Sequence, residues 1–408
     1  MKCEILCVGT ELLLGDTLNT NSQFLAKELS FLGIGVFHQS VVGDNPERVR
    51  ESLKVAFDRS DMVITTGGLG PTKDDLTKEE CAKFFNKKLI LNEEALSRLK
   101  AIFIKRGFEL SESNIKQAYL PEGCIPMQNN NGTAPGCIIT DNNKTLIMLP
   151  GPPKEVYPMF KESVVPYLKT LSNDVFVSKV LRVFGIGESN AADRISNLLD
   201  NENPTVAPYA KDNEVIFRIT AKCKNEDEAA ILIKPIEQEI REKLGDCIYG
   251  EGEKTLEYVV GELLVNNNLT ISAAESCTGG LVSGKLINYP GISSAFLEGA
   301  VTYTNEAKMK RLNVKKETLD KYGAVSEQTA KEMAEGIAKA AGTDIGVSTT
   351  GIAGPGGGSD EKPVGLVYIG IYYNNETYVK KLNLSGSREK IRNRAVMEVL
   401  DMIRRKIS

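Results

Sequence analysis

The chain is almost without histidine: its 408 residues include one, His38, and there is no tryptophan. A Ser-His-Asp triad could draw only on that residue, and an HExxH or Cys2His2 metal site is excluded outright. Charge of one sign is also lacking, since 50 Lys and Arg stand against 54 Asp and Glu, a net of −4. That balance exerts no broad pull on nucleic acid or an anionic membrane, so any anionic ligand must be held by local features. No apolar run approaches the ~18 residues of a membrane span, and the one before Glu11 is too short for a signal-peptide core. The eight cysteines (Cys3, Cys7, Cys81, Cys124, Cys137, Cys223, Cys247 and Cys277) contain no C-x-x-C pair and no regular spacing. They read as reduced thiols of a cytoplasmic protein, packed as small hydrophobes. An enzyme built under these constraints works with Ser, Lys, Tyr, Arg and carboxylates.

What is present is an alternation of buried-strand and helix patterns, long enough for two to three domains. Residues 5–9, 36–42 and 62–66 read as strands, with helices at 21–32 and 46–57 between them, Pro46 suiting a first helical turn. This βαβαβ order predicts a parallel sheet covered by helices. A hairpin at 137–140 and 144–149 follows, then a helix running from the Leu149-Pro-Gly-Pro-Pro153 string to about Leu171. Residues 172–250 read as a small α+β block: strand 175–184, helix 188–199, strands 205–209 and 214–221 around the turn Lys211-Asp-Asn213, and helix 226–244. A second α/β pattern fills 251–408, with helices 255–265 and 280–287 and strands 270–274, 296–303, 345–350, 364–372 and 378–384. Its clearest helix follows Ser326, with Ala330, Met333, Ala334, Ile337, Ala338 and Ala341 on one face. A final helix begins near Ser387.

Two sets of strings carry chemistry. Thr65-Thr-Gly-Gly-Leu-Gly-Pro-Thr-Lys-Asp-Asp-Leu-Thr77 sits at the end of the third strand, where ligands bind in open parallel sheets. Gly67, Gly68 and Gly70 let the backbone approach a ligand and turn N–H groups toward an anion. Asp74 and Asp75 suit a divalent cation bridging carboxylate and phosphate oxygens, and Asp44 ends the second strand near the same edge. The same residues also read as a glycine turn capped by Asp74 or Asp75, and Lys73 as a solvated loop lysine. The loops Gly9-Thr-Glu-Leu-Leu-Leu-Gly-Asp16, Asn131-Gly-Thr-Ala-Pro-Gly136 and Leu149-Pro-Gly-Pro-Pro-Lys-Glu155 add backbone-rich surface.

In the second set, Ala273-Ala-Glu-Ser-Cys-Thr-Gly-Gly280 places Ser276 at a strand end with Thr278, Gly279 and Gly280 opening a helix whose free N–H groups face it. Ser276 or Thr278 could equally be a helix cap. Val301-Thr-Tyr-Thr-Asn-Glu-Ala-Lys308 puts Tyr303 at a strand end and Lys308 one turn into a helix. Thr349-Thr-Gly-Ile-Ala-Gly-Pro-Gly-Gly-Gly358 is another strand-end glycine loop, and Ser385-Gly-Ser-Arg-Glu389 sets Arg388 at a helix start, a seat for a phosphate. Cys277 is a rival nucleophile with no histidine to activate it. His38 takes no role.

Read together, these strings resemble the CinA family throughout: a molybdopterin-binding-like α/β domain of the MoaB/MogA type over 1–171, a KH-like α+β domain over 172–250, and an α/β nicotinamide-nucleotide amidohydrolase domain over 251–408. The resemblance implies two hydrolytic activities. The first is metal-dependent hydrolysis of ADP-ribose to AMP and ribose 5-phosphate. Asp75 and Asp44 would hold the ion (Mg2+, Mn2+ or Co2+, with K+ as a further candidate). Gly9, Thr10, Glu11, Gly67, Gly68, Gly70, Thr72, Asp74, Gly132, Thr133, Pro150 and Gly151 would hold the substrate. The second is deamidation of nicotinamide mononucleotide, with no cofactor. Ser276 would be the nucleophile, Lys308 the base, and Tyr303 would orient the pair or return a proton. Thr278, Gly279, Gly280, Thr350, Gly351, Gly354, Gly356 and Arg388 would hold the nucleotide. A KH module needs a GXXG loop, but only Gly185-Ile-Gly187 is present, in a block with ten Lys and Arg against fourteen Asp and Glu. The expectation there is a structural or dimer-forming role, with the chain a homodimer and no nucleic acid and no membrane partner. A competence-associated nucleotide-binding regulator without turnover, or a molybdopterin-handling enzyme, are the competing readings.

Overall fold

The computed structural model describes residues 1–408 except 172, 173 and 212. Asp212, the centre of the expected 211–213 turn, therefore lies outside the described residues. The chain folds as two compact units, residues 1–178 with 220–232 and residues 179–219 with 233–408, and the strands of the middle block are shared between them.

In the first unit, β1 (Lys2–Val8), β2 (Gly35–Val42) and β3 (Met62–Thr66) pair in parallel, as their apolar runs predict. Three further strands, β4 (Ile125–Met127), β5 (Gly136–Asp141) and β6 (Lys144–Leu149), complete a six-stranded sheet ordered β2-β1-β3-β6-β5-β4. β6 is parallel to β3, whereas β5 runs antiparallel to both its neighbours, β6 and β4, so the sheet is mixed. The hairpin between β5 and β6 turns on Asn142 and Asn143, both at positive φ, which the short polar side chain of asparagine tolerates. Helices cover both faces. Leu25 and Leu29 pack with Val156 and Phe160 on one side; Leu53, Phe57 and Cys81 lie on the other. Asn45 caps helix Pro46–Arg59 by accepting from the Arg48 amide at 3.1 Å. The expected single helix to Leu171 is instead Pro153–Met159, a π turn at Phe160–Val164, and Val165–Thr170.

The middle block is a four-stranded sheet of β7 (Val175–Val183), β8 (Thr205–Lys211), β9 (Glu214–Cys223) and β10 (Ile248–Glu251) in the order β8-β9-β7-β10. Its expected helix 188–199 breaks at Ile195 into Glu188–Arg194 and Ser196–Leu199.

In the second unit, β11 (Ile271–Glu275) lies between β12 (Phe296–Val301) and β13 (Ile345–Gly351), parallel to both. β14 (Leu366–Tyr373) and β15 (Glu376–Asn383) extend the sheet antiparallel beyond β13. β12 stops two residues before Tyr303, so that residue belongs to the loop and not to the strand. Helix Glu327–Ala341 buries Ala330, Met333, Ala334, Ile337 and Ala338, and Ser326 caps it, accepting from the Thr329 amide at 3.2 Å. All eight cysteines are free, and no helix among the described residues is long and apolar enough to cross a membrane.

Helix Glu327–Ala341 approaches β13 so closely that a Cβ on Gly346 would stand 2.2 Å from the Ala334 carbonyl oxygen. Gly346→Ala must push the helix off the sheet. It should cost about 1–3 kcal/mol, read as a lower urea midpoint for the second unit.

Candidate active sites

The parallel strands of the first unit end together, and their loops enclose a cleft of about 420 Å³. Gly9, Glu11, Asp44, Gly67, Gly68, Gly70, Asp74, Asp75, Thr133, Pro150 and Gly151 line it, as do Asn21, Gln117 and Glu155, which sequence reasoning had passed over. Thr10, Thr72 and Gly132 do not line it. The two threonines sit behind the carboxylates. The Thr10 amide and hydroxyl both donate to Asp44 Oδ2, at 2.8 and 2.9 Å, and the Thr72 amide donates to Asp75 Oδ2 at 2.9 Å, with its hydroxyl on the same oxygen. These bonds aim the two aspartates and leave Oδ1 of each for a cation. The Thr72 hydroxyl also holds the Asp74 carboxyl below its usual range.

The glycine turn is built differently from the expected row of anion-binding amides. Gly67, at φ +99°, gives its N–H to the carbonyls of Leu149 and Pro150 at 3.1 and 3.2 Å, which leaves Gly68 and Gly70 for an anion. A Cβ on Gly67 would lie 2.1 Å from the Val8 carbonyl oxygen, and one on Gly70 2.4 Å from Asp75 Oδ2. Glycine is thus required by β1 in the first case and by the carboxylate in the second. The expected cap by Asp74 or Asp75 does not form, because helix Thr77–Phe84 has no side-chain cap. Among the described residues no group of three or more His, Cys, Asp or Glu is placed to hold a metal ion. The oxygen-only donors Asp44 and Asp75 fit a hard cation that takes its remaining ligands from substrate oxygens and water, the usual manner of Mg2+.

In the second unit the structure joins residues 32 positions apart: Lys308 Nζ donates to Ser276 Oγ at 3.2 Å. Thr304 caps the lysine's helix, Asn305–Leu312, by accepting from the Ala307 amide. The same ammonium donates to the carbonyls of Thr302 at 2.8 Å and Tyr303 at 3.4 Å. Lys308 is 1 % exposed, and burial lowers its pKa from the ordinary lysine value. Tyr303 reaches the pair through its carbonyl, while its side chain is 62 % exposed, which corrects the expectation that the phenol orients them.

Glu275, last residue of β11 and given no role from sequence, organises the turn. Its buried carboxylate accepts from the amides of Gly280, Val282 and Ser283 at 2.8–3.1 Å and from the hydroxyls of Thr278 and Ser283 at 2.7 Å. The helix N-terminus that was expected to face Ser276 is therefore occupied. Thr278 also shares a hydrogen bond with Thr349, so its side chain is internal. Burial pushes the Cys277 thiol up to about 11, and the Glu275 charge adds to the rise. Cys277 is 7 % exposed and packs in the core.

Thr350 faces inward, donating to the Ala324 carbonyl at 2.6 Å, so it braces the loop and does not turn its hydroxyl to a ligand. The exposed Arg388 donates to the Gly354 carbonyl at 2.7 Å, tying the glycine loop to the start of helix Arg388–Ile407. Arg392, one turn on, donates to the carbonyls of Cys277 and Thr278 at 3.1 and 2.7 Å. Its spacing of four from Arg388 was the available signal.

Three families match along the chain: a probable molybdopterin binding domain over residues 4–170, the damage-inducible protein CinA KH domain over 178–250, and the CinA C-terminal domain over 253–407. Competence-damage inducible proteins of Clostridium acetobutylicum and Clostridium perfringens (strain ATCC 13124) are 61 % and 63 % identical, each comparison covering all of this chain and 99 % of the relative. A solved CinA protein of Thermoplasma acidophilum is 37 % identical over 40 % of this chain and 96 % of its own, with a TM-score of 0.38.

Glu275→Ala strands three amides and two hydroxyls in a buried turn. It should cost on the order of 3 kcal/mol or more, measured by urea unfolding of the second unit. Cys277 should stay unalkylated by iodoacetamide near neutral pH while the protein is folded, as peptide mass spectrometry would show.

Proposed function

The chain belongs to the CinA family, and on that premise we propose that it is a hydrolase of NAD-related nucleotides with one site in each unit. The observation that carries the reading is the 3.2 Å contact between a buried lysine and a serine hydroxyl at a strand end. A lysine held from water is depressed toward the neutral amine, the form able to accept the proton from Ser276. Ser276 Oγ then attacks the carboxamide carbon of nicotinamide mononucleotide. The amides of Cys277 and Thr278, next along the chain from the nucleophile, would serve the oxyanion. The proton on Lys308 leaves with the amine as ammonia, directly or through the exposed Tyr303 phenol. Water, deprotonated by the same lysine, cleaves the acyl-serine ester to give nicotinic acid mononucleotide and restore Ser276. Arg388 and the Gly354–Gly358 loop supply the charge and backbone for the substrate phosphate.

In the first unit, the combination of Gly68 and Gly70 amides with Asp44 and Asp75 supports hydrolysis of the diphosphate of ADP-ribose. A divalent cation on those carboxylates would neutralise phosphate charge and lower the pKa of a bound water. The chain's own residues hold the diphosphate on the glycine turn, while Thr10 and Thr72 fix the two aspartates.

The test is a paired assay on the full chain. Ammonia release from nicotinamide mononucleotide should fall by a factor on the order of 10³ in Ser276→Ala and in Lys308→Met, and stay within a few-fold in Cys277→Ala. Wild-type protein that binds the nucleotide and releases no ammonia overturns the deamidase. ADP-ribose cleavage with Mg2+, Mn2+ or Co2+ should be lost in Asp75→Asn, with deamidation untouched.

The pH dependence has a definite sign. Lys308 must be neutral to act, and its pKa lies below the ordinary 10.5, so the rate should rise with pH through the depressed value and level off before 10.5. Over that window the unfolded chain binds the additional proton, so this residue's contribution to stability also rises with pH. A kcat/KM profile falling across that range removes Lys308 as the base.

A further inference from the structure

The cleft of the first unit holds two buried oxygens that nothing in the chain satisfies. Asn21 Oδ1 and Gln117 Oε1 have no hydrogen-bond partner, although Asn21 is 9 % exposed and Gln117 1 %. Both residues line the cleft. Buried polar atoms are nearly always paired, so two unpaired ones on one cleft point to groups supplied by a ligand.

Both side chains sit on backbone that is itself held. Asn21 Nδ2 donates to the Gly151 carbonyl at 2.7 Å, which fixes the other end of its amide as the oxygen. Capping of its helix is left to Asn19, whose Oδ1 accepts from the Ser22 amide at 3.1 Å. Beneath Gln117, the ammonium of Lys78, 4 % exposed, donates to the carbonyls of Lys116 at 2.8 Å and Gln117 at 3.3 Å. Neither amide oxygen is therefore needed to hold the fold at its own position.

An amide oxygen accepts and cannot donate, so a phosphate oxygen cannot satisfy it. The diphosphate has its own seat at Gly68 and Gly70. What remains to donate in ADP-ribose is the amine of the base and the ribose hydroxyls, and the hydroxyls are the donors that flank the diphosphate. Resting on the ADP-ribose reading above, we infer that Asn21 and Gln117 are specificity-determining residues that accept hydrogen bonds from ribose hydroxyls. On this assignment the cleft separates ribose-bearing diphosphates from others by the price of leaving these oxygens unpaired.

Calorimetric titration of the full chain in Mg2+ tests this with two nucleotides, ADP-ribose and 2′,3′-dideoxy-ADP. The second keeps the adenine amine and the diphosphate but has no ribose hydroxyl beyond the esterified one. Asn21→Leu and Gln117→Met, made separately, should each weaken ADP-ribose about tenfold and leave dideoxy-ADP within twofold. Should Asn21→Leu not fold, Asn21→Ala takes its place, with the urea midpoint and deamidation rate as folding controls. Equal losses for both nucleotides overturn the inference, because the amides then read the base or merely shape the cleft. Unchanged ADP-ribose affinity in both variants overturns it while leaving the hydrolase reading standing. Wild-type protein that binds neither nucleotide overturns the ADP-ribose reading and this inference together.

Discussion

The second unit buries Lys308, and that burial is what would let its amine shed a proton more readily than an ordinary lysine. Lys308 is 1 % exposed, and its ammonium touches two carbonyls and one hydroxyl. Holding a cation there is unfavourable, and its pKa falls for that reason. The serine it reaches is held by a second buried charge. Glu275 satisfies the start of helix Leu281–Leu286, and that bonding fixes the turn carrying Ser276. The same carboxylate raises the neighbouring thiol. One buried carboxylate thus fixes the turn that carries the serine, and burial, with that charge adding to it, raises the Cys277 thiol.

The first unit meets a different constraint, since on the proposed reading its carboxylates would face a polyanion. Its answer is to tie the aspartates down before any ligand arrives. Thr10 and Thr72 hold one oxygen each of Asp44 and Asp75, and Gly67 locks the glycine turn to the end of β6 through the Leu149 carbonyl. Preorganised donors and acceptors require no rearrangement at binding, which is where such sites gain over flexible loops. The fold serves this directly, since parallel strands place all their carboxyl ends, and so all these loops, on one edge.

Much of the fold was legible because buried strands and amphipathic helices write their period into the chain. Met62–Thr66 and helix Glu226–Leu244 came out with the expected bounds. Ser326 and Pro46 announce their helices by residue type. The errors fall where partners far apart in sequence decide. Tyr303 left its strand, the 188–199 helix broke at Ile195, and the antiparallel half of the first sheet had no signature beyond its one hairpin. Within the sites, Ser276, Lys308 and the two aspartates stood out as reactive types at strand ends and helix starts. Glu275, Arg392, Asn21 and Gln117 did not, because each matters through contacts that no local spacing encodes.

The near-absence of histidine, legible at once, pointed any acid–base site here to lysine, tyrosine or carboxylates, and the even charge left anions to be met by local features. Those conclusions need only residue identity. Which residues meet was settled by the tertiary structure alone. Lys308 could have been a solvated helix lysine and Tyr303 a core residue; the fold made the lysine 1 % exposed and the tyrosine 62 % exposed. The physical reason is that burial, and the pKa and hydrogen bonding that follow from it, are properties of the packed environment. A sequence names the groups that can titrate or accept a bond, and only packing decides which of them are shielded from water.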